Sequence, residues 1–124
     1  MPPVLNEHTS IYLQIAKMLE DGILRGIYPE ETQVPSTNEL ARTLRINPAT
    51  GAKGLNLLVE EGILYKRRGL GMFVSEGAAD RIRAKRREEF LEQYVKPLAA
   101  EARKLGLTAE ELQAMLRAAC QEEE

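Results

Sequence analysis

The stretch between residues 36 and 74 constrains the fold most, because two helix starts and two short glycine-bounded strands follow one another within it. Ser36 and Glu39 are the ends of a capping box. In such a box the Ser36 hydroxyl accepts from the Glu39 backbone N–H, and the Glu39 carboxylate accepts from the Ser36 N–H. Asn47 and Pro48 mark a second start, with an N-cap residue followed by proline at the first helical position. Two short helices separated by a tight turn are therefore predicted.

The apolar spacing predicts one buried side for each of these helices. The first is expected to end near Leu44 and to bury both Leu40 and Leu44. The second is expected to bury Leu55 and Leu58 and to end at Gly62. Arg45 lies in the predicted turn between the two helices.

Two strands are predicted after the helices, over residues 63–67 and 72–75. Gly69 and Gly71 bound their connection, where a tight turn needs unusual φ values. Lys66, Arg67 and Arg68 place three positive charges at the tip. Two helices followed by a hairpin with a basic tip form the pattern of a winged helix-turn-helix, which places one helix in the major groove of DNA.

In such a fold the second helix presents its first residues to base edges. Thr50 can contact a phosphate or a thymine methyl group, and Lys53 can reach a guanine edge or a phosphate. The exposed N–H groups at the helix start can also hold a phosphate. The basic tip would reach a flanking minor groove or its phosphates. The candidate DNA-binding residues are Ser36, Arg45, Asn47, Ala49, Thr50, Lys53, Lys66, Arg67, Arg68 and Gly69.

Two glycines, Gly51 and Gly54, lie in the half of the second helix that would enter the groove. Each is a weak helix former that costs roughly 1 kcal/mol relative to alanine. One interpretation is that they allow the backbone to approach DNA closely. The other is tight packing against the preceding helix, and the sequence favours neither.

The flanking segments are helical as well, so the predicted fold is mainly α with a small β-hairpin. A helix over residues 10–24 carries an apolar stripe and supports the motif. The pattern after residue 78 stays helical to residue 104, and Pro97 should kink or divide this long helix. A second capping box, from Thr108 to Glu111, starts a last helix.

We place a domain boundary between residues 76 and 77, with the winged helix-turn-helix before it and a two-helix dimerisation region after it. Apolar side chains at helical spacing in the second region predict a two-fold interface between two copies of the chain. The candidate dimer-interface residues are Phe90, Tyr94, Leu98, Leu112 and Leu116.

Composition limits the other functions. The net charge of the 124 residues is −2, so a DNA-binding face must come from local placement of charge. His8 is the only histidine, and no cluster with metal-ligand spacing accompanies it, so neither a metal site nor a catalytic pair is predicted. Cys120, the single cysteine, is interpreted as a small semi-buried residue. No long apolar run or secretory signal occurs, which favours a cytoplasmic protein.

The stretch that contains the two predicted helices and the hairpin resembles the DNA-binding domain of GntR-family bacterial transcription regulators. PSTNELARTL, INPAT and LLVEEGILYKRRGLGMFV follow one another in the family's order, and the resemblance covers about residues 11–74. It implies that Thr50, Lys53, Arg68 and Gly69 contact DNA. The Asn-Pro opening, Lys53 and the short two-helix C-terminus are similar to the YtrA subfamily. That similarity implies dimerisation through the C-terminal helices and no large effector pocket.

The chain departs from the family pattern at three positions. Many members carry arginines where this chain has Asn38, Pro48 and Ala52, so their sequence preference does not transfer.

Two functions remain open at this point. The first is a homodimeric repressor of transcription that binds an inverted-repeat operator in double-stranded DNA. This function needs no cofactor, and an unidentified small-molecule effector is left open. The alternative is a winged-helix module for protein–protein contact in a larger assembly, which the acidic overall charge favours. No feature indicates an enzyme.

Overall fold

The computed structural model describes Leu5 and residues 10–122, so His8 and its predicted exposed position lie outside the described part. The chain forms two compact units, one ending at Ala84 and the other beginning at Lys85. The elements in chain order are α1 Ile11–Leu24, α2 Thr37–Leu44, α3 Pro48–Glu60, β1 Leu64–Arg67, β2 Gly71–Val74, α4 Ala78–Phe90, a π-helical segment Leu91–Val95, α5 Lys96–Lys104 and α6 Ala109–Glu122.

The first unit is built around one aliphatic core. Helix α3 is central to it, because α1, α2 and β1 all pack against this helix. Most of the apolar stripe predicted for α1 is buried, as are the predicted inward residues Leu40, Leu55 and Leu58, whereas Leu44 is only half-buried. The buried members of this core include Ile15, Leu19, Ile23, Val34, Leu40, Leu55, Leu58, Ile63, Leu64, Val74, Ala78 and Ile82. The predicted winged helix-turn-helix is therefore confirmed.

The turn between α2 and α3 follows from local chemistry on both sides. The Ser36 N–H donates to Glu39 Oε1 at 2.8 Å, and the Glu39 N–H donates to the Ser36 hydroxyl at 3.1 Å, so the capping box is complete. At the other end of α2, Arg45 adopts a left-handed conformation with φ of 56°, and the following Ile46 N–H donates to the Ala41 carbonyl. A left-handed residue ends the helix at this point.

The two glycines of α3 differ in how closely their neighbours approach. A side chain at Gly51 would come into contact with Leu40 and Ile46, which lie in α2 and in the turn after it. A side chain at Gly54 would come within 3.0 Å of the Tyr12 carbonyl oxygen and 3.1 Å of Ile15, both in α1. For Gly54, tight packing is therefore the correct interpretation of the two that the sequence left open, and the neighbour is α1. At Gly51 a Cβ would make only ordinary contacts at 3.7–3.8 Å, so packing does not require glycine at that position.

The hairpin is antiparallel, with Leu64 opposite Val74 and Arg67 opposite Gly71. Its second strand also pairs with the segment between α1 and α2. The Glu31 N–H donates to the Val74 carbonyl at 2.8 Å, and the Val34 N–H donates to the Met72 carbonyl at 3.0 Å. This segment therefore ties the hairpin to the helical part of the first unit.

The division between the two units lies inside α4, several residues beyond the boundary expected from the sequence. Ala78 and Ile82 account for this difference, because both are fully buried in the core of the first unit. Because the rest of α4 is polar, helical periodicity alone does not predict that these two residues are buried.

The second unit contains the division that the sequence predicts at Pro97. A wide π-helical turn, Leu91–Val95, separates α4 from α5, and Pro97 occupies the first turn of α5. Proline lacks the N–H that would continue an α-helix, and its ring would clash with the Gln93 carbonyl, so the backbone widens before it. Helix α5 ends at Lys104, and Gly106, two residues beyond it, has φ of 73°.

Helix α6 begins with the predicted second capping box. The Thr108 N–H donates to Glu111 Oε1 at 2.8 Å, and the Glu111 N–H donates to the Thr108 hydroxyl at 3.1 Å. The prediction for Cys120 is wrong, because this residue is exposed on α6. No described residue covers that part of the helix in the single chain. Within the described residues, no helix is long and apolar enough to cross a membrane.

The capping box of α2 leads to a stability prediction. Ser36→Ala removes the acceptor for the Glu39 N–H, and it should lower the free energy of unfolding by about 1 kcal/mol in urea denaturation. The matched control is Thr43→Ala, an exposed threonine on the same helix, which should change that value by less than about 0.5 kcal/mol. Equal effects of the two variants would show that the box does not stabilise α2.

The same box has a pH dependence whose direction follows from Glu39. The hydrogen bond from the Ser36 N–H to its carboxylate lowers the pKa of Glu39, with Arg42 adding a smaller effect. Because the pKa is lower in the folded chain, this stabilisation is present above the ordinary carboxyl pKa and is lost as the pH falls through the lowered one.

Candidate nucleic-acid interface

The exposed side of α3 carries the residues that the sequence assigns to base contact. Asn47, Ala49 and Lys53 are exposed, and Thr50 is half-buried. Gly51, Gly54, Leu55 and Leu58 occupy the opposite, buried side. The helix therefore presents one polar face to solvent with Lys53 as its only cation.

The start of α3 offers fewer free donors than the sequence predicts. Pro48 has no N–H, and the Ala49 N–H donates to Asn47 Oδ1 at 2.8 Å. The Thr50 N–H donates to the Asn47 carbonyl at 2.9 Å. Since the Asn47 side chain closes the helix end, a phosphate at this point would have to compete with existing hydrogen bonds.

Lys53 is held against an aromatic ring from another helix. Its ammonium nitrogen lies 4.1 Å from the centre of the Tyr12 ring, which belongs to the first turn of α1. Lys53 forms no ion pair with any residue in the described part of the chain, so its positive charge stays available to an external anion.

The hairpin tip is a tight turn whose geometry requires glycine. The Leu70 N–H donates to the Arg67 carbonyl at 2.9 Å, and Gly69 between them has φ of 78°. A positive φ at the third position of such a turn is the geometry of a type II turn, which glycine satisfies without strain. Lys66 and Arg68 are exposed on either side of the turn.

The three basic residues of the tip do not form one cluster. Successive side chains of a strand point to opposite faces, so Arg67 shares a face with Tyr65 and Lys66 does not. Arg67 Nη2 donates to the Tyr65 hydroxyl at 2.9 Å, and the guanidinium lies 4.4 Å from the centre of the Phe73 ring. Arg67 is thus engaged within the hairpin, whereas Lys66 and Arg68 form no ion pair among the described residues.

Glu31 completes the cluster around Arg67. The Tyr65 hydroxyl donates to the Glu31 carboxylate, which also lies 3.7 Å from Arg67 Nη2. That hydrogen bond raises the pKa of Tyr65, because it stabilises the protonated phenol next to an anion; Arg67 opposes the shift. These contacts fix the base of the hairpin and partly neutralise Arg67.

A glutamine holds the tip from the other side. Gln33 Nε2 donates to the Leu70 carbonyl at 2.6 Å, and Gln33 pairs with Phe73 through an isolated bridge. Gly71, with φ of 125°, lies so close to the Gln33 amide that a side chain there would collide with it. The conformation of the hairpin tip is therefore supported by contacts within the chain itself.

Two of the candidate residues lie at the edges of this surface. The Ser36 hydroxyl is already an acceptor in the capping box, so it can only donate to a phosphate. Arg45 is exposed in the turn before α3.

The second unit exposes an apolar face. Phe90, Tyr94, Leu98 and Leu116 of the predicted interface are between 40% and 55% exposed, and Leu112 is half-buried. The Phe90 and Tyr94 rings lie 5.6 Å apart. Further exposed apolar residues of this unit are Leu91, Val95, Leu105 and Met115.

Sequence reasoning missed the residues that act across elements. Tyr12 comes from the helix interpreted as support, and Glu31 and Gln33 come from the segment between α1 and α2. Each touches a candidate DNA-binding element only after folding. The separation of Arg67 from Lys66 could have been predicted, because side chains alternate between the two faces of a strand and neighbouring residues of β1 lie on opposite faces. Among the described residues, no group of three or more His, Cys, Asp or Glu is arranged to hold a metal ion.

Comparison with known proteins gives matches over the same elements. Residues 11–74, which run from α1 to the end of the hairpin, match the family model for "Bacterial regulatory proteins, gntR family". The chain is 32% identical over 104 residues to the HTH-type transcriptional repressor YtrA of Bacillus subtilis, which covers 84% of this chain and 79% of that protein.

Solved structures agree with this match. The crystal structure of a transcriptional regulator of the GntR family from Bacteroides thetaiotaomicron superimposes with a TM-score of 0.72 at 35% identity, covering 90% of this chain and 97% of that one. The DNA-binding domain of AraR, solved in complex with operator ORX1, gives a TM-score of 0.53 at 26% identity. It covers 58% of this chain and 93% of that domain.

Proposed function

Because the chain belongs to the GntR family of bacterial regulatory proteins and is a DNA-binding transcriptional regulator rather than an enzyme, we propose that it acts as a homodimeric repressor at an inverted-repeat operator. Each copy would place α3 in the major groove and its hairpin against the neighbouring minor groove. The observation that carries the proposal is the exposed cation of α3, Lys53, which belongs to the same unit as the hairpin tip. The two exposed cations of that tip, Lys66 and Arg68, form no ion pair among the described residues.

The acidic overall charge is compatible with this role. Lys53, Lys66 and Arg68 lie on exposed parts of two DNA-facing elements and are not neutralised by described partners. Protein cations next to phosphates release counterions, and this contribution depends on local placement. Base recognition is then limited to a few side chains at the start of α3, so phosphate contacts and the second copy supply much of the affinity.

The dimer is proposed from the apolar face of the second unit. Aromatic and aliphatic side chains that are about half exposed there need a cover in water, and an identical face on a second copy is self-complementary. A two-fold dimer presents two α3 helices to two half-sites of opposite orientation.

Repression and location follow from the relatives. YtrA of Bacillus subtilis is a repressor, and by analogy we assign repression to this chain. A regulator of bacterial transcription works in the cytoplasm, where the chromosome lies. An effector, if one exists, would be a small molecule.

The proposal is tested by recovering DNA from the organism's own genomic fragments with the purified protein. Retained fragments should share an inverted repeat, and hydroxyl-radical footprinting should protect two half-sites whose centres are about one helical turn or a multiple of it apart. A footprint over a single half-site would contradict the dimeric arrangement.

Lys53 carries the first mutational prediction. Lys53→Ala should weaken binding to the recovered operator by about 5- to 10-fold, because one direct contact to a base edge or phosphate is lost. Fluorescence anisotropy with a labelled duplex measures the affinity. Lys104→Ala, which removes one exposed cation from the second unit, is the charge-matched control and should change it less than about twofold. Unchanged affinity for Lys53→Ala would remove this residue from the interface.

A further inference from the structure

We infer that Tyr12 is a positioning residue for DNA binding: its ring holds the Lys53 ammonium at the face of α3 that meets DNA. This inference rests on the proposed function and names a residue of α1, which the helix-turn-helix motif does not include. Its basis is a contact between two helices of the first unit.

The contact exists because α1 and α3 approach closely at a glycine. A Cβ at Gly54 would lie 3.0 Å from the Tyr12 carbonyl oxygen and 3.1 Å from Ile15 Cγ2, so any larger residue would push the two helices apart. Lys53 precedes Gly54 on α3, and its ammonium reaches the face of the Tyr12 ring at this close approach.

The ring restrains a side chain that would otherwise be mobile. Lysine has four rotatable side-chain bonds, and holding them in one arrangement costs conformational entropy when the ammonium binds an anion. An ammonium 4.1 Å from the ring centre is attracted by the negative face of the aromatic ring. Part of the ordering therefore takes place before DNA binds.

The surroundings leave the held ammonium accessible. Ala49 and Ala52 line the same open depression between α1 and α3, and both have short side chains. Glu60 also lines it but forms no ion pair with Lys53 among the described contacts. The ring thus supports the cation from one side, and a phosphate or base edge can approach from the other.

A measurement on the free protein tests the contact itself. The ε-methylene protons of Lys53 should be shifted upfield by the ring current of Tyr12, relative to those of the exposed Lys66 in the same sample. The shift should persist in Tyr12→Phe, which keeps the ring, and disappear in Tyr12→Leu. Equal shifts for Lys53 and Lys66 in the unchanged protein would overturn the inference without any use of DNA.

A double-mutant cycle tests the consequence for binding. With the genome-selected duplex, Tyr12→Leu should weaken affinity by about 2- to 5-fold, and Tyr12→Phe should restore it to within about twofold of the unchanged protein. In a Lys53→Met background, Tyr12→Leu should have no further effect. An equal loss in both backgrounds would mean that Tyr12 acts independently of Lys53, and the inference would be wrong.

The two proposals fail in different ways. If no duplex is bound by the unchanged protein, the proposed function fails while the ring-current shift still reports on the Tyr12–Lys53 contact. If the duplex is bound and the cycle shows no coupling, only the positioning role fails.

Discussion

Replacement of Tyr94 with glutamate is expected to give a monomer and to weaken operator binding by about 10²- to 10⁴-fold. Tyr94 lies in the π-helical segment, is 51% exposed and has the Phe90 ring 5.6 Å away. A carboxylate at the centre of an apolar dimer interface would be buried without a partner, so the dimer would dissociate. The affinity loss is large because the second half-site contact becomes an intermolecular event once the two copies separate.

Light scattering and anisotropy measure the two parts of this prediction separately. Gln93→Glu is the matched control, since it adds the same charge to the neighbouring exposed position outside the predicted interface. It should leave both the mass and the affinity close to those of the unchanged protein. An unaltered dimer for Tyr94→Glu would show that the interface lies elsewhere on the chain.

The hairpin tip gives the second large effect. The double change Lys66→Ala and Arg68→Ala should weaken operator binding by about 10- to 100-fold and reduce the slope of log K against log salt by about 2. Both side chains are exposed and form no ion pair among the described residues, so each is free to neutralise a phosphate. The tip stays ordered in this variant, because Gln33 and the Arg67–Leu70 hydrogen bond hold its backbone.

A charge-matched control separates the tip from overall charge. Arg103→Ala with Lys104→Ala removes two exposed cations from the last turn of α5 and should leave the salt slope unchanged. Arg67→Ala should reduce the slope less than either tip cation, since Arg67 is held by Glu31, Tyr65 and Phe73. A slope that is the same for the tip variant and the control would exclude phosphate contacts at the tip.

The elements of this fold could be predicted because their ends depend on neighbours in the chain. Ser36 and Thr108 cap helices through residues three positions away, and Pro97 ends an α-helical run by its own covalent structure. Such features need no knowledge of tertiary packing. The core faces of α1, α2 and α3 could be predicted for the same reason, since helical periodicity selects them.

The arrangement of the site could be predicted only in part. Tyr12 and Lys53 meet because Gly54 lets two helices approach, and Gln33 reaches Leu70 across 37 positions of the chain. Neither pairing leaves a periodic signal. The free donors expected at the start of α3 are engaged by Asn47, whose side chain accepts from the Ala49 N–H and whose backbone carbonyl accepts from the Thr50 N–H.

The measurement that tests the central claim most directly is retention of genomic DNA fragments by the purified protein over a salt series. We predict that a specific fragment is retained with an affinity that falls steeply as salt rises, because phosphate contacts from the hairpin and α3 release counterions. No retention of any fragment at low salt would contradict the account and would favour a winged-helix module that binds another protein.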